Sequence, residues 1–223
     1  MKRASNLFSQ DDHKAITDAV MQAESKTSAE IMPVVATSSG RYDRAEDIVG
    51  LWLGLVVLCV VWLLFQDTTE SEWSGVSQVI SLPIVVGIVF GGWLVGIFVA
   101  NHVAWVRRLF VLPTELRQEV EHGARKAFFD SRVHHTAGAT GVLIYVSLFE
   151  HVAVVLGDRE VTEKLGQEKL TKFCKDLTSE LAKGKYTEAF TKTIEEIGTA
   201  LGEVLPRKDE DKNELEDALV VLD

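Results

Sequence analysis

Carboxylate, imidazole and hydroxyl side chains gather in three short polar stretches that flank apolar segments in the second half of the chain. They are Asp130, His134, His135, Thr140, Glu150 and Asp158. In sheets covered by helices, ligands bind at strand ends and in the loops beyond them. We therefore interpret these residues as the candidate ligand-binding positions.

Asp130 and Asp158 are the candidate metal ligands. With a backbone carbonyl they supply the oxygen atoms that Ca²⁺ or Mg²⁺ prefers, so a divalent cation is the one cofactor that the sequence suggests. The structural alternatives are an N-cap role for Asp158 and a solvated helix terminus for His134 and His135, where an imidazolium suits the helix dipole.

No catalytic motif accompanies these residues. The sequence has no P-loop, no Cys-x5-Arg and no Asp-x-Asp nucleophile motif behind an apolar strand. A phosphatase also needs a nucleophile or a metal-bound water, together with a cation that clamps the phosphate. Ser147 has no base at a recognisable spacing, and we interpret it as a packing residue. The sequence leaves open whether the chain is an enzyme.

Apolar patterning predicts the strands that position these residues. Glu30–Ser38 is typical of a strand, and Pro33, which has no N–H, predicts an edge position or a bulge for it. Val142–Phe149 is a nearly continuous apolar strand suited to burial on both faces. Val152–Leu156 follows after Glu150-His151, which predicts an antiparallel hairpin, although the connection lacks the Gly that tight turns prefer.

Apolar residues at helical spacing predict helices in the rest of the polar sequence. One helix precedes the first strand, another opens at Pro113, and two follow Gly157. The charged tail Arg207–Asp217 has the composition of a mobile segment. Its apolar end, Ala218–Leu222, is predicted to dock on the domain or to add to a sheet edge.

A long apolar region interrupts this pattern between residues 48 and 106. It contains spans at about 48–65 and 80–101, each near the roughly 20 residues that cross a hydrocarbon core, with an acidic stretch between them. No Lys or Arg lies between Arg44 and Arg107, so the positive-inside rule places both termini in the cytoplasm. We predict a two-span hairpin in the plasma (inner) membrane.

Glycines recur at four-residue spacing in both spans. They are Gly50, Gly54, Gly87, Gly91, Gly92 and Gly96. Small residues at this spacing let two helix backbones approach closely. The pattern indicates packing within the hairpin or, as the alternative, dimerisation through one of these faces.

The hairpin divides a single domain. A lone helix–strand pair cannot bury its apolar face, because even a two-stranded hairpin is marginal by itself. Residues 1–47 and 107–206 are therefore predicted to fold together as one cytoplasmic domain, with the hairpin of residues 48–106 as an insertion and residues 207–223 as an acidic tail.

Composition excludes some classes of protein. The formal net charge of −10 argues against nucleic-acid binding, since there is no basic face to neutralise phosphates. The two cysteines, Cys59 and Cys174, lie in an apolar run and in a polar helical region. They predict neither a disulfide framework nor a zinc site.

Several segments resemble the TPM domain family, in particular the bacterial membrane members whose domain is interrupted by a transmembrane hairpin. The segments are Thr27–Ile31 (TSAEI), Thr140–Glu150 (TGVLIYVSLFE), Val154–Asp158 (VVLGD) and the closing Asp211–Leu215 (DKNEL). The resemblance covers essentially the whole chain. The chain departs from the family pattern at Pro33 and at Glu216, where the family has Pro.

This resemblance implies an α/β fold, an αβα sandwich with a small mixed sheet, into which the two-helix transmembrane hairpin is inserted. Members of the family include a thylakoid-lumen protein linked to photosystem repair and a nematode protein that modulates an acetylcholine receptor. An acid phosphatase activity is attributed to the plant branch. The family name therefore implies a fold more than a function.

We expect a membrane-anchored cytoplasmic interaction or regulatory module without catalysis of its own. Its expected partners are the lipid bilayer and another membrane or cytoplasmic protein. One alternative is a metal-assisted, acid phosphatase-like hydrolase that acts through Asp158. The other is an oligomeric membrane scaffold, a homo-oligomer joined through the glycine faces.

Overall fold

The structure is a computed structural model that describes residues 3–65, 81–136, 138–207, 213–215 and 217–223. The predicted acidic loop between the two spans lies outside the described residues, as do Asp211 and Glu216 of the closing segment. The chain forms two compact units. The α/β unit consists of the chain up to Gly40 together with Thr114–Asp223, and the hairpin unit is Arg41–Pro113.

The α/β unit is built on a four-stranded sheet. Its strands are β1 (Ile31–Ala36), β2 (Val142–Ser147), β3 (Val152–Gly157) and β4 (Val220–Leu222). Their order in the sheet is β3-β2-β1-β4. β1 is parallel to both β2 and β4, whereas β2 and β3 are antiparallel. The predicted mixed α/β class with a small mixed sheet is confirmed.

Helices occupy both units. In chain order they are α1 (Gln10–Glu24), α2 (Asp43–Phe65), α3 (Leu82–His102), α4 (Ala104–Leu109), α5 (Pro113–Asp130), α6 (Arg159–Leu165), α7 (Gln167–Leu181) and α8 (Tyr186–Val204). The sequence predicted two helices after Gly157. Gly166, at φ +78°, separates α6 from α7 and brings the number to three.

The sheet is covered on both faces. Ile31 and Ile144 belong to the core shared with α1, α7 and α8. Met32 and Tyr145, one position further along the same strands, join the core shared with α5. Since successive strand residues point to opposite faces, the unbroken apolar sequence of β1 and β2 is what burial on both faces requires.

The position predicted for Pro33 is wrong, because β1 lies inside the sheet between β2 and β4. The Ala36 carbonyl accepts from the Leu148 N–H at 2.9 Å, whereas the Thr37 N–H donates to the Leu222 carbonyl at 2.8 Å. Even-numbered residues of β1 therefore bond to β2, and odd-numbered ones face β4. β4 begins to pair one residue after Pro33, so the missing N–H costs the ladder no bond.

The connection between β2 and β3 departs from an ordinary sequence rule. His151 takes a left-handed conformation, φ 54°, at the position in the predicted β2–β3 hairpin where a Gly was expected. The apolar C-terminal end adds to the sheet edge as β4, which is one of the two predicted outcomes.

In the hairpin unit, α2 and α3 run antiparallel and pack through glycines. An added Cβ on Gly92 would meet Gly54, and one on Gly96 would meet Gly50. The backbones thus approach as closely as small residues allow. The other two glycines have no atom within 4 Å of an added Cβ: Gly87 and Gly91.

Both helices of the pair are long and apolar enough to cross a membrane. The stretches Asp43–Leu64 and Leu82–His102 have 22 and 21 residues, and only 17% and 6% of their apolar windows are buried. A core helix of a soluble protein would be mostly buried. Length, composition and exposure together indicate membrane association.

Candidate functional site

The candidate residues lie at two opposite ends of the sheet. Thr140 and Asp158 flank the start of β2 and the end of β3, whereas Glu150 follows the end of β2. The six residues of β2 separate the two groups by roughly 15–20 Å at about 3.3 Å a residue. The three predicted stretches therefore form two sites.

Glu150, almost fully buried, organises the site at the carboxyl ends of β1 and β2. Its Oε1 accepts from the backbone N–H groups of Ser39, at 2.9 Å, and Gly40, at 3.3 Å. The Ser38 hydroxyl also donates to Oε1, at 3.3 Å, and the Ser147 hydroxyl donates to Oε2. One carboxylate thus satisfies the polar groups of the loop that follows β1.

Hydroxyl groups extend this network toward the surface. The Ser39 hydroxyl donates to the Ser147 oxygen at 2.9 Å and lies 3.0 Å from the Tyr145 hydroxyl. Burial, with the nearby Glu150 charge, raises the pKa of Tyr145, so the phenol stays protonated. An added Cβ on Gly123 of α5 would lie 2.8 Å from the Tyr145 oxygen, so glycine at this position lets α5 cover the network.

The hydrogen bonds of this site hold the loop after β1 in place, and we call this the anchor role of Glu150. A chain of hydroxyls that ends on a carboxylate resembles a proton relay from Ser39. However, the oxygens of Glu150 are engaged by backbone and hydroxyl donors, and these bonds hold the loop in place. The interpretation of Ser147 as a simple packing residue is wrong. The sequence signal for its contact with Glu150 was the spacing of three residues between them. No sequence signal pointed to Ser39.

At the opposite end of the sheet, Asp158 caps α6. Its Oδ1 accepts from the Arg159 N–H at 2.7 Å, and its own N–H donates to the Gly141 carbonyl at 2.8 Å. Oδ2 is buried and has no hydrogen-bond partner among the described residues. Thr140 donates from its hydroxyl to the Ser28 carbonyl at 2.9 Å, which ties this loop to the start of β1.

Asp130 and the two histidines lie at the end of α5. Asp130 is the last residue of the helix, and His134 and His135 belong to a 3-10 turn, Val133–His135. The two imidazole rings are 4.4 Å apart, and the His134 ring is 4.8 Å from the ring of Phe129. These contacts form an aromatic patch, Phe129–His134–His135.

Within the described ranges, no group of three or more His, Cys, Asp or Glu side chains is arranged to hold a metal ion. Asp130 and Asp158 therefore gain no third protein ligand of these types there. A hard cation needs six or more oxygen ligands, so backbone and water oxygens would have to supply most of them.

A pair of acids near the start of β1, Glu24 and Glu30, was not foreseen. The Glu24 carboxylate accepts from the Ile31 N–H at 2.8 Å, and Glu30, which is buried, accepts from the Leu215 N–H at 3.2 Å. Burial raises the pKa of Glu24 to about 8, and the charges of Glu30 and Asp217 act in the same direction. The sequence signal was Glu30 itself, a charge directly before an apolar strand.

Comparison with known proteins finds one informative similarity. No protein-family model matches the chain, and no curated protein matches it. The chain is similar to the NMR structure of the BA42 protein from the psychrophilic bacterium Bizionia argentinensis, over 99% of each chain, with a TM-score of 0.57 and 18% identity. At this identity the similarity shows a shared fold, and it does not extend to function.

Proposed function

We propose that the chain is a membrane-anchored module of the TPM kind, with its α/β unit in the cytoplasm, which acts by binding another protein. The observation that carries this proposal is the parallel pairing of β1 with β2. These strands lie on either side of the hairpin in sequence, so the apolar helices are an insertion into one folded domain. An insertion of this kind fixes a complete domain to a membrane.

Charge supports the orientation. Arg41 and Arg44 precede the first apolar helix and Arg107 and Arg108 follow the second, with no Lys or Arg between them. Basic residues are retained on the cytoplasmic side. Both ends of the inserted hairpin, and the α/β unit that they join, then lie on the cytoplasmic side.

The TPM assignment is supported by where its segments fall. The most specific segment, Thr140–Asp158, coincides with β2, β3 and their connection, and Thr27–Ile31 leads into β1. They include β1 and β2, the two central strands of the sheet. The same segments contain the Glu150 network, whose carboxylate holds a loop, and this favours a structural use of the motif over a catalytic one.

The aromatic patch is the surface that suits a protein partner. Phe129 is 61% exposed and lies against His134. Exposed aromatic side chains are enriched at protein interfaces, where they bury large area at low entropic cost. Met21, on α1, is also exposed, at 55%, and serves as a matched control on another surface of the same unit.

Site-specific photocrosslinking in native membranes tests this surface. A photoreactive phenylalanine at position 129 of the full-length protein is expected to form a discrete adduct, whereas the same residue at position 21 is not. The interaction proposal fails if position 129 yields no adduct.

The orientation is tested with Glu72→Cys and Gln118→Cys in a Cys59→Ala, Cys174→Ala background. An impermeant maleimide should label position 72 in intact cells and position 118 only after lysis.

The second candidate function is a metal-assisted phosphatase. The observation in its favour is the buried Asp158 Oδ2, which has no hydrogen-bond partner among the described residues. Full-length protein is assayed with aryl phosphates in Mg²⁺ and in Ca²⁺. Turnover that Asp158→Asn abolishes would establish this candidate and overturn the non-catalytic proposal. Turnover that Asp158→Asn leaves unchanged would reject the assigned residue.

A further inference from the structure

The short helix α4 presents an apolar face that the hairpin unit does not cover. α4 is separated from α3 by Val103, whose backbone leaves the helical region at φ −116° and ψ 87°. Trp105 and Leu109 are 67% and 70% exposed. They stand four residues apart and therefore lie on the same side of the helix. Leu112, just beyond the helix, is also exposed.

An ion pair fixes the rotation of α4 about its axis. The Arg107 guanidinium bonds to Glu46 of α2 at 3.0 Å, and it lies 5.9 Å from the ring centre of Tyr42. At about 100° a residue, Arg107 projects roughly 160–200° away from Trp105 and Leu109. The side of α4 that carries Arg107 is thus held against α2, and the Trp105–Leu109 face is turned away from it.

We propose that the Trp105–Leu109 face of α4 binds the headgroup–acyl boundary of the leaflet at which α3 ends. The inference rests on the proposed membrane insertion and adds a second, in-plane attachment to the two spans. α3 has 21 residues and is therefore about 31 Å long at 1.5 Å a residue, which is the thickness of a hydrocarbon core. A helix that begins two residues later starts at the interface.

The chemistry of the face selects lipid as its occupant. In α3, which precedes it, Leu94 and Phe98 are also exposed. Tryptophan prefers the headgroup level, where its ring is apolar and its N–H remains hydrated. A leucine beside it supplies apolar area that an interfacial helix buries only a few ångströms deep. The Arg107–Glu46 ion pair, whose side chains are 20% and 13% exposed, sets the direction of this face.

Spin-label accessibility in nanodiscs of phosphatidylcholine and phosphatidylglycerol tests the proposal. Labels are placed at positions 105 and 109 of the full-length protein in the Cys59→Ala, Cys174→Ala background. Phe90 in α3, which is exposed, provides the lipid reference, and Gln118 in α5 provides the water reference. Labels at 105 and 109 are expected to show oxygen accessibility between the two references and reduced accessibility to a water-soluble nickel complex.

The possible outcomes separate the inference from the membrane proposal. If position 90 is in lipid while 105 and 109 match Gln118, the inference is overturned and the hairpin stands. If 105 and 109 are shielded from both oxygen and nickel, a protein covers the face and the inference is again overturned. If position 90 is in water, the membrane proposal itself fails. Tryptophan fluorescence provides a label-free check. The part of the emission that Trp105→Phe removes should be quenched by brominated lipid.

Discussion

The backbone N–H of Ser39 donates to the Glu150 carboxylate at 2.9 Å across a sequence separation of 111 residues. The bond joins the last residues of the α/β unit before the hairpin to the turn between β2 and β3. It therefore links the two parts of the α/β unit that the inserted hairpin separates in sequence. The same carboxylate also holds Ser147 at the end of β2, so one side chain connects both strand ends to the loop.

Removal of this carboxylate is expected to destabilise the α/β unit. Glu150→Ala leaves the half-buried Ser39 and Gly40 N–H groups without their acceptor, and a buried group left unpaired in this way costs roughly 1–3 kcal/mol. We expect the free energy of unfolding to fall by about 3 kcal/mol, measured by denaturant titration in detergent. Glu168→Ala, on the exposed side of α7, is the control and should change it little. Equal effects of the two substitutions would contradict the anchor role.

The stability of the α/β unit should fall as the pH rises through neutrality. Burial raises the pKa of Glu24 from its ordinary value of 4.5 to about 8, so the folded state keeps a proton that the unfolded state has lost. Between these two values the unfolded state binds fewer protons, and the free energy of unfolding decreases with pH. The stabilisation is complete below about pH 4.5 and is lost above about pH 8.

Glu24→Gln tests this assignment. The amide oxygen can still accept from the Ile31 N–H, and the substituted side chain carries no charge next to Glu30 and Asp217. The variant should be more stable than the wild type at pH 8 and similar to it near pH 4.5, measured by unfolding titrations across this range. Glu168→Gln should leave the wild-type slope intact. An unchanged slope in Glu24→Gln would assign the pH dependence to another group.

The fold was accessible to sequence analysis where burial leaves a periodic signal. The apolar strands β1 and β2, the hairpin that contains Glu150 and the apolar spans all follow from patterning. The interior position of β1 did not, because Pro33 normally marks an edge. The missing N–H of Pro33 breaks no hydrogen bond only because β4 starts to pair one residue later. The pairing of β4 could not be predicted with certainty, because a strand of three residues has too short an apolar pattern.

The candidate site was accessible only in part. Glu150 and Asp158 were selected as polar residues at strand ends, and both are at strand ends in the structure. Their placement at opposite ends of the sheet follows from the antiparallel β2–β3 hairpin, which the sequence predicted, because Glu150 lies in its turn and Asp158 follows its second strand. Ser39 could not be assigned, since its contacts to Glu150 and Ser147 arise from tertiary pairing across the hairpin.

The glycines of the hairpin should differ sharply in their tolerance of substitution. A Cβ on Gly54 would lie 2.6 Å from the Val89 carbonyl oxygen, whereas one on Gly91 meets nothing within 4 Å. Overpacking of this kind costs about 1–3 kcal/mol, so Gly54→Ala should lower the stability of the hairpin in micelles, and Gly91→Ala should not. Helical circular dichroism during SDS titration measures both.

The same pair of variants tests the oligomeric scaffold. If Gly91→Ala abolishes a dimer that wild-type protein forms in membrane crosslinking, the open glycine face is used between copies. Crosslinking that yields only monomer for both wild type and variant removes the scaffold alternative.

The C-terminal strand should contribute to stability through one of two leucines. Leu219, directly before β4, is 5% exposed and belongs to the core beneath α1 and α8, whereas Leu222 at its end is 42% exposed. Truncation of a buried leucine to alanine costs roughly 2–5 kcal/mol, so Leu219→Ala should lower the free energy of unfolding by about 2 kcal/mol or more. Leu222→Ala keeps the backbone pairing of β4 and should lower it by less than half as much. Thermal and denaturant unfolding of the full-length protein compare the two, and equal losses would contradict the larger contribution assigned to the buried Leu219.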